Sequence, residues 1–183
     1  MYKLPAKANN VQYEEREKMS KFGYIKLQDN IMLIGAKSNT SDYLMEQVKF
    51  ASLDNHKVLL IDYETTNDIL ENKQYKYLNK ESIAKVFDKN YVIEKLEETI
   101  IKTKPEYVYI NTLSLIPTLE NVFDDDDKIK YIIKTLNELA NKYSVKFLII
   151  DRYFTDEKIY LTSTYKNINS IWVLQENNMN RIK

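Results

Sequence analysis

Short, mainly apolar runs bounded by polar residues predict the strands of a central sheet. Five such runs occur along the chain, at residues 31–34, 58–63, 107–110, 147–151 and 171–174. Each run is apolar at consecutive positions instead of alternating with polar residues, which is typical of strands covered on both faces. We therefore expect these strands to lie in a mostly parallel sheet.

Apolar residues at helical spacing lie between these runs. The predicted stripes are, in chain order, Leu44, Met45, Val48 and Ala51; Ile93, Leu96, Ile100 and Ile101, ended by Pro105; and Ile129, Ile132, Ile133, Leu136, Leu139 and Tyr143. Alternation of strands and helices predicts an α/β fold with right-handed crossovers and helices flanking the sheet.

The polar segments suggest how the chain is organised. Residues 1–22 are expected to form a polar arm or a short helix ahead of one domain, 23–183. Four consecutive aspartates at 124–127 precede the longest helical stripe. They lack the glycine and the alternating ligands of a calcium loop. We expect them to be solvated and to favour the positive N-terminal end of that helix.

Composition excludes several classes of function. The 183 residues carry 27 basic and 27 acidic side chains, so no global charge marks a nucleic-acid-binding or membrane-binding protein. Cysteine is absent and His56 is the single histidine, which excludes disulfides and thiolate-ligated or histidine-rich metal sites. Because no apolar run approaches the roughly 20 residues of a membrane span and no signal-peptide core follows Met1, a cytoplasmic protein is expected.

The run at 31–34 leads through a short polar turn into the first helical stripe, which is the layout of a phosphate-binding loop. However, the G-x-x-x-x-G-K-[ST] pattern of such loops is not matched. Gly23 and Gly35 are the only glycines, too few for most loops whose backbone N–H groups surround a phosphate. The sequence therefore indicates the layout of a nucleotide-binding domain without its chemistry.

Six segments match one family in the same order: 26–34, 35–38, 58–65, 107–116, 136–145 and 168–174. They are similar to the first strand, the start of the phosphate loop, the strand before the catalytic glutamate, the Walker B strand, a later helix and a late strand. Together they resemble the RecA-like ATPase domain of replicative hexameric helicases of the DnaB type. The resemblance implies a RecA-like three-layer fold.

The resemblance places Glu64 on the position of the family's catalytic glutamate. Its departures define a degenerate nucleotide site: Lys37, Ser38, Ser41, Asp42, Tyr43, Asn111 and Arg152. Asp42 falls on the phosphate-binding lysine, Tyr43 on the magnesium-binding hydroxyl and Asn111 on the Walker B aspartate. We also expect the terminal strands, which carry a basic finger toward a neighbour's nucleotide, to be absent because the sequence stops at Lys183.

These departures imply a catalytically inactive protein with no cofactor. Each lost or reversed charge costs a few kcal/mol, and two or three together weaken nucleotide binding by several decades. The resemblance then implies a protein-interaction module in DNA replication or recombination. It would regulate, load or inhibit a helicase or recombinase, or bind a second copy of itself, and a phage or plasmid genome is a plausible home.

Two alternatives remain open from the residues. A metal-dependent hydrolase of nucleotides or phosphodiesters would use Asp62, Glu64, Asn111 and Asp151, which follow or end predicted strands. A single-strand nucleic-acid-binding accessory protein would use tyrosines for stacking and lysines for phosphate contacts. The residues expected to make those contacts are Lys158, Tyr160, Tyr165 and Lys166.

Overall fold

The structure is a computed structural model. It describes residues 27, 29–36, 40–64, 80–119, 124–151, 162–175 and 178–182, without the side chains of 36, 40–42, 80, 175 and 178–180. The predicted arm at 1–22 lies outside the described residues. No helix in these ranges is long and apolar enough to cross a bilayer.

One sheet organises the described part of the chain. Its strands are β1 (Ile31–Ala36), β2 (Val58–Asp62), β3 (Ile83–Val86), β4 (Tyr107–Asn111), β5 (Lys146–Asp151), β6 (Ser170–Gln175) and β7 (Asn178–Arg181). They lie in the order β3-β2-β4-β5-β1-β6-β7. Every neighbouring pair is parallel except β6 and β7. The predicted mostly parallel sheet is confirmed.

Three helices cover the two faces of this sheet: α1 (Thr40–Leu53), α2 (Leu96–Thr103) and α3 (Asp125–Tyr143). Strand side chains alternate between the faces. In β4, Tyr107 and Tyr109 belong to the core cluster under α1, whereas Val108 and Ile110 belong to the cluster under α2 and α3. Both faces are buried, which explains why the strands read as continuous apolar runs.

The predicted helical stripes are buried with one exception. Ile101 is 53% exposed, although Ile100 beside it is buried. Successive helical side chains point about 100° apart, so a short helix such as α2 turns only one of two adjacent residues toward the sheet. The stripe prediction was wrong at this position.

The aspartate run acts as the start of α3. Asp124 is the N-cap residue, and its side chain accepts a hydrogen bond from the Asp127 backbone N–H at 2.8 Å. The next three aspartates occupy the first turn, where the helix dipole favours negative charge. The predicted role of this run at a helix N-terminus is confirmed.

His56 lies in the turn before β2, as predicted, but it is not simply exposed. Its Nδ1 lies 2.8 Å from Glu106 Oε2, and its ring packs 4.6 Å from the ring of Tyr107. The hydrogen bond from His56, together with one from the Lys57 backbone, holds the pKa of Glu106 below its ordinary value of 4.5. This contact joins the turns that precede β2 and β4.

Candidate functional site

The carboxyl ends of β2 and β4 bring two polar side chains together. Asp62 ends β2, Asn111 ends β4, and the two residues are register partners. Partners on neighbouring strands present their side chains on the same face of a sheet, which here is the face under α1. Asp62 is 1% exposed and Asn111 is fully buried. These two side chains form the floor of the candidate site.

The Asn111 amide joins two carboxylates. Its Nδ2 donates to Asp62 Oδ1 at 3.2 Å and to Glu64 Oε2 at 3.3 Å. The Glu64 backbone N–H also donates to Asp62 Oδ1, at 2.9 Å. Because carboxylates only accept hydrogen bonds, these contacts require the amide nitrogen, and not its oxygen, to face Asp62 and Glu64. We call Asp62, Glu64 and Asn111 the amide–carboxylate cluster.

Backbone contacts fix the position of this cluster. The Tyr63 N–H donates to the Asn111 carbonyl at 2.6 Å, and the peptide bond between Asn111 and Thr112 is cis. Thr112, which is fully buried, donates its hydroxyl to the Ile150 carbonyl at 2.8 Å. These hydrogen bonds hold the cluster between β2 and β5. Sequence reasoning missed Thr112, whose only signal was a hydroxyl placed directly after a strand.

Asp151 lies at the same edge of the sheet but on the other face. Its neighbour Ile150 is the register partner of Asn111, so the next side chain points away from the amide–carboxylate cluster, toward α3. Burial raises the pKa of Tyr165 above its ordinary range, and the nearby charges of Asp151 and then Asp126 raise it further. The four polar residues expected to meet at the strand ends are thus divided between two faces.

Tyr43 is part of the core under α1. Its side chain is fully buried in the cluster that contains Met32, Ile34 and Leu148. Burial, followed by the charge of Glu46, raises its pKa above the ordinary value of 10. A large ring therefore fills the space under α1 at the position where the resemblance implies a small magnesium-binding hydroxyl.

Several proposed nucleotide-site residues cannot be placed side chain by side chain. Ser41 and Asp42 lie in the first turn of α1, but their side chains lie outside the described part. Lys37, Ser38 and Arg152 lie wholly outside the described residues. The positions of β1 and α1 are those expected for the strand and helix that flank a phosphate loop.

The residues proposed for nucleic-acid contact are not brought together in the described part. Lys158 and Tyr160 lie outside it, and Lys166 is exposed. Tyr165 is only 2% exposed and belongs to the core cluster under α3, so its ring faces are not available for stacking on a base. Among the described residues, no group of three or more His, Cys, Asp or Glu side chains could hold a metal ion.

Comparisons with known proteins support the fold. No protein-family model and no curated protein matches this sequence. A solved ATPase domain of a DnaB-like helicase matches over 93% of this chain and 83% of its own, with 14% identity and a TM-score of 0.65. A DnaB-like replicative helicase, described with its interactions with primase, matches over 97% of this chain at 13% identity and a TM-score of 0.63. This chain covers 58% of that helicase chain.

A likeness at this identity concerns the fold. The sheet order, the flanking helices and both structural matches agree with the resemblance seen in the sequence. The chain has the RecA-like α/β fold of the ATPase domain of DnaB-type helicases.

Proposed function

We propose that this protein is a catalytically inactive RecA-like protein that acts as a protein-interaction module in DNA replication or recombination. It would regulate, load or inhibit a helicase or recombinase in the cytoplasm, with residues 23–183 as its RecA-like domain and 1–22 as a polar arm. The observation that carries this proposal is the Asn111 amide, which donates to both Asp62 and Glu64.

The amide changes the chemistry of the strand end. P-loop ATPases use a carboxylate here to hold the magnesium ion that accompanies the nucleotide. Asn111 instead presents a neutral N–H donor toward the carboxylates and carries no charge for a metal. Glu64, at the position of the catalytic glutamate, accepts a hydrogen bond from that amide instead of activating a water. The residues present therefore do not fit a magnesium-bound nucleotide.

The residues at the start of α1 support the same conclusion. An aspartate in place of the phosphate-binding lysine removes a charge-assisted contact of about 1.5–3 kcal/mol. It also adds repulsion of about 4 kcal/mol if two unit charges lie about 4 Å apart at an effective dielectric constant of about 20. Since about 1.4 kcal/mol corresponds to tenfold in affinity, Asp42 alone weakens nucleotide binding by several decades.

A titration with a fluorescent ATP analogue, combined with a phosphate-release assay, tests the inactivity. We expect neither micromolar binding nor phosphate release above a protein-free blank. Asp42→Lys combined with Asn111→Asp is the matched variant, and it is expected to gain nucleotide affinity at least about tenfold. Micromolar ATP affinity or turnover by the unmodified protein would refute the pseudo-ATPase.

Binding assays with purified partners test the second half of the proposal. One described structural relative is a replicative helicase studied with its primase, which makes replication proteins the first candidates. The replicative helicase, a recombinase and a second copy of the chain are each presented to the immobilised protein. Saturable binding to at least one is expected, and binding to none of them would count against an interaction module.

A further inference from the structure

We infer that the Asn111 amide takes the place of a divalent cation between Asp62 and Glu64, so that this single residue closes the strand-end site to Mg²⁺. The inference rests on the proposed function, since a metal-dependent ATPase needs the cation that Asn111 would replace. It concerns the disagreement between the fold, which implies a magnesium-bound nucleotide, and the side chains of the amide–carboxylate cluster.

The geometry of the amide makes it a substitute for a cation. A single nitrogen lies 3.2 Å from an Asp62 oxygen and 3.3 Å from a Glu64 oxygen. An amide NH₂ group has two hydrogens, so it can donate one to each carboxylate. Its partial positive charge offsets the repulsion between two carboxylates that converge on one point. The cluster is thereby satisfied on this side without a metal.

Burial makes this substitution important. Asp62 and Asn111 are almost completely removed from water, and a buried carboxylate is unfavourable unless it is hydrogen-bonded or paired. Magnesium is usually held by one or two carboxylates and keeps several of its own waters. Here the donor hydrogens of Asn111 point at the oxygen atoms that would bind the ion. A cation approaching those oxygens meets positive hydrogens.

Aspartate at position 111 would reverse the situation. Asparagine and aspartate have nearly the same shape, but the carboxylate has no hydrogen to donate. Asp62 and Glu64 would lose a shared donor and gain a third negative neighbour. Such a cluster needs a proton or a cation to be stable. Asn111→Asp therefore changes charge and hydrogen bonding while it keeps the packing.

Thermal unfolding of the full chain with EDTA, millimolar Mg²⁺ or millimolar Ca²⁺ tests this inference without measuring activity. The unmodified protein is expected to unfold at the same temperature in all three. Asn111→Asp is expected to unfold about 6–15 °C lower in EDTA and to recover at least half of that loss with a divalent cation. The double variant Asn111→Asp with Asp62→Asn removes one carboxylate and is expected to lose the response to the cation.

Two results would overturn the inference. One is a melting temperature of the unmodified protein that rises with Mg²⁺ as much as that of the variant. The other is an Asn111→Asp protein that is equally stable with and without cations. If this variant does not fold in EDTA, circular dichroism after refolding with Ca²⁺ decides: a recovered fold supports the inference and no recovery contradicts it. A magnesium response of the unmodified protein without ATP binding would reject this inference alone, whereas ATP turnover would reject the proposed function.

Discussion

Replacing Tyr43 by threonine distinguishes a core residue from a remnant of a nucleotide site. The resemblance implies a small hydroxyl side chain at this position, so threonine restores the family's pattern. The structure places the Tyr43 ring in the core under α1, where it is fully buried. If the ring fills that core, Tyr43→Thr removes most of a buried aromatic side chain and leaves a cavity.

The size of the effect follows from the buried area. An aromatic side chain buries about 150–250 Å², and at about 25 cal/mol per Å² this contributes about 4–6 kcal/mol. Threonine keeps a small part of that contribution, and measured truncations of buried aromatic residues cost about 3–5 kcal/mol. We therefore expect Tyr43→Thr to lower the free energy of unfolding by about 3–5 kcal/mol, a large share of the roughly 5–15 kcal/mol of a typical domain.

Urea unfolding followed by circular dichroism measures this loss. Tyr43→Phe is the matched control because it keeps the ring and removes only the hydroxyl, and we expect it to cost no more than about 1.5 kcal/mol. Ile101→Thr is a second control on the exposed side of α2, since Ile101 is 53% exposed, and its effect is expected to stay within about 1 kcal/mol.

The reasoning depends on the ordering of these three variants. A Tyr43→Thr protein as stable as the unmodified one, or no less stable than Tyr43→Phe, would show that the ring does not support the core. The position under α1 would then be available for a nucleotide-site role, and the structural argument against magnesium at this end of the site would lose its second support.

Three further predictions concern titration and helix capping. Burial is the main cause that raises the pKa of three tyrosines above the ordinary value of 10: Tyr43, Tyr63 and Tyr165. The folded state therefore keeps these protons longer, so stability is complete below pH 10 and falls as the pH rises beyond it, by up to about 1.4 kcal/mol per pH unit for each tyrosine; an unchanged urea midpoint between about pH 9 and about pH 11 would contradict this. The hydrogen bond from His56 lowers the pKa of Glu106, so its contribution is present above pH 4.5 and is lost as the pH falls through the lowered folded value. In urea titrations, Glu106→Gln should cost less than about 1 kcal/mol at neutral pH, and a difference that does not shrink below pH 4.5 would be inconsistent with this assignment. Asp124→Ala should cost about 1 kcal/mol by removing the N-cap of α3, and it should cost more than Asp125→Ala in the same run; equal losses in urea unfolding would argue against the cap.

The order of strands and helices could be derived from the apolar pattern because burial on both faces of a parallel sheet leaves a local signature. The five predicted runs became β1, β2, β4, β5 and β6, each within two residues at either end. The strands β3 and β7 were missed because both lie at the edges of the sheet. An edge strand is short and only partly covered, so residues such as Asn178 and Arg181 need not be apolar.

The chain order of residues was also enough to place Asp62 and Asn111 at the same edge of the sheet, because parallel strands end together. It was not enough to assign their faces. Strand pairing sets Asn111 opposite Asp62 on one side and opposite Ile150 on the other, which turns Asp151 to the far face of the sheet. Side-chain direction alternates at every residue, so a shift of one position in pairing reverses the outcome, and only the folded sheet fixes that register. The bond from one amide to two carboxylates depends on the same register, since it joins side chains that lie 47 and 49 residues apart in the chain.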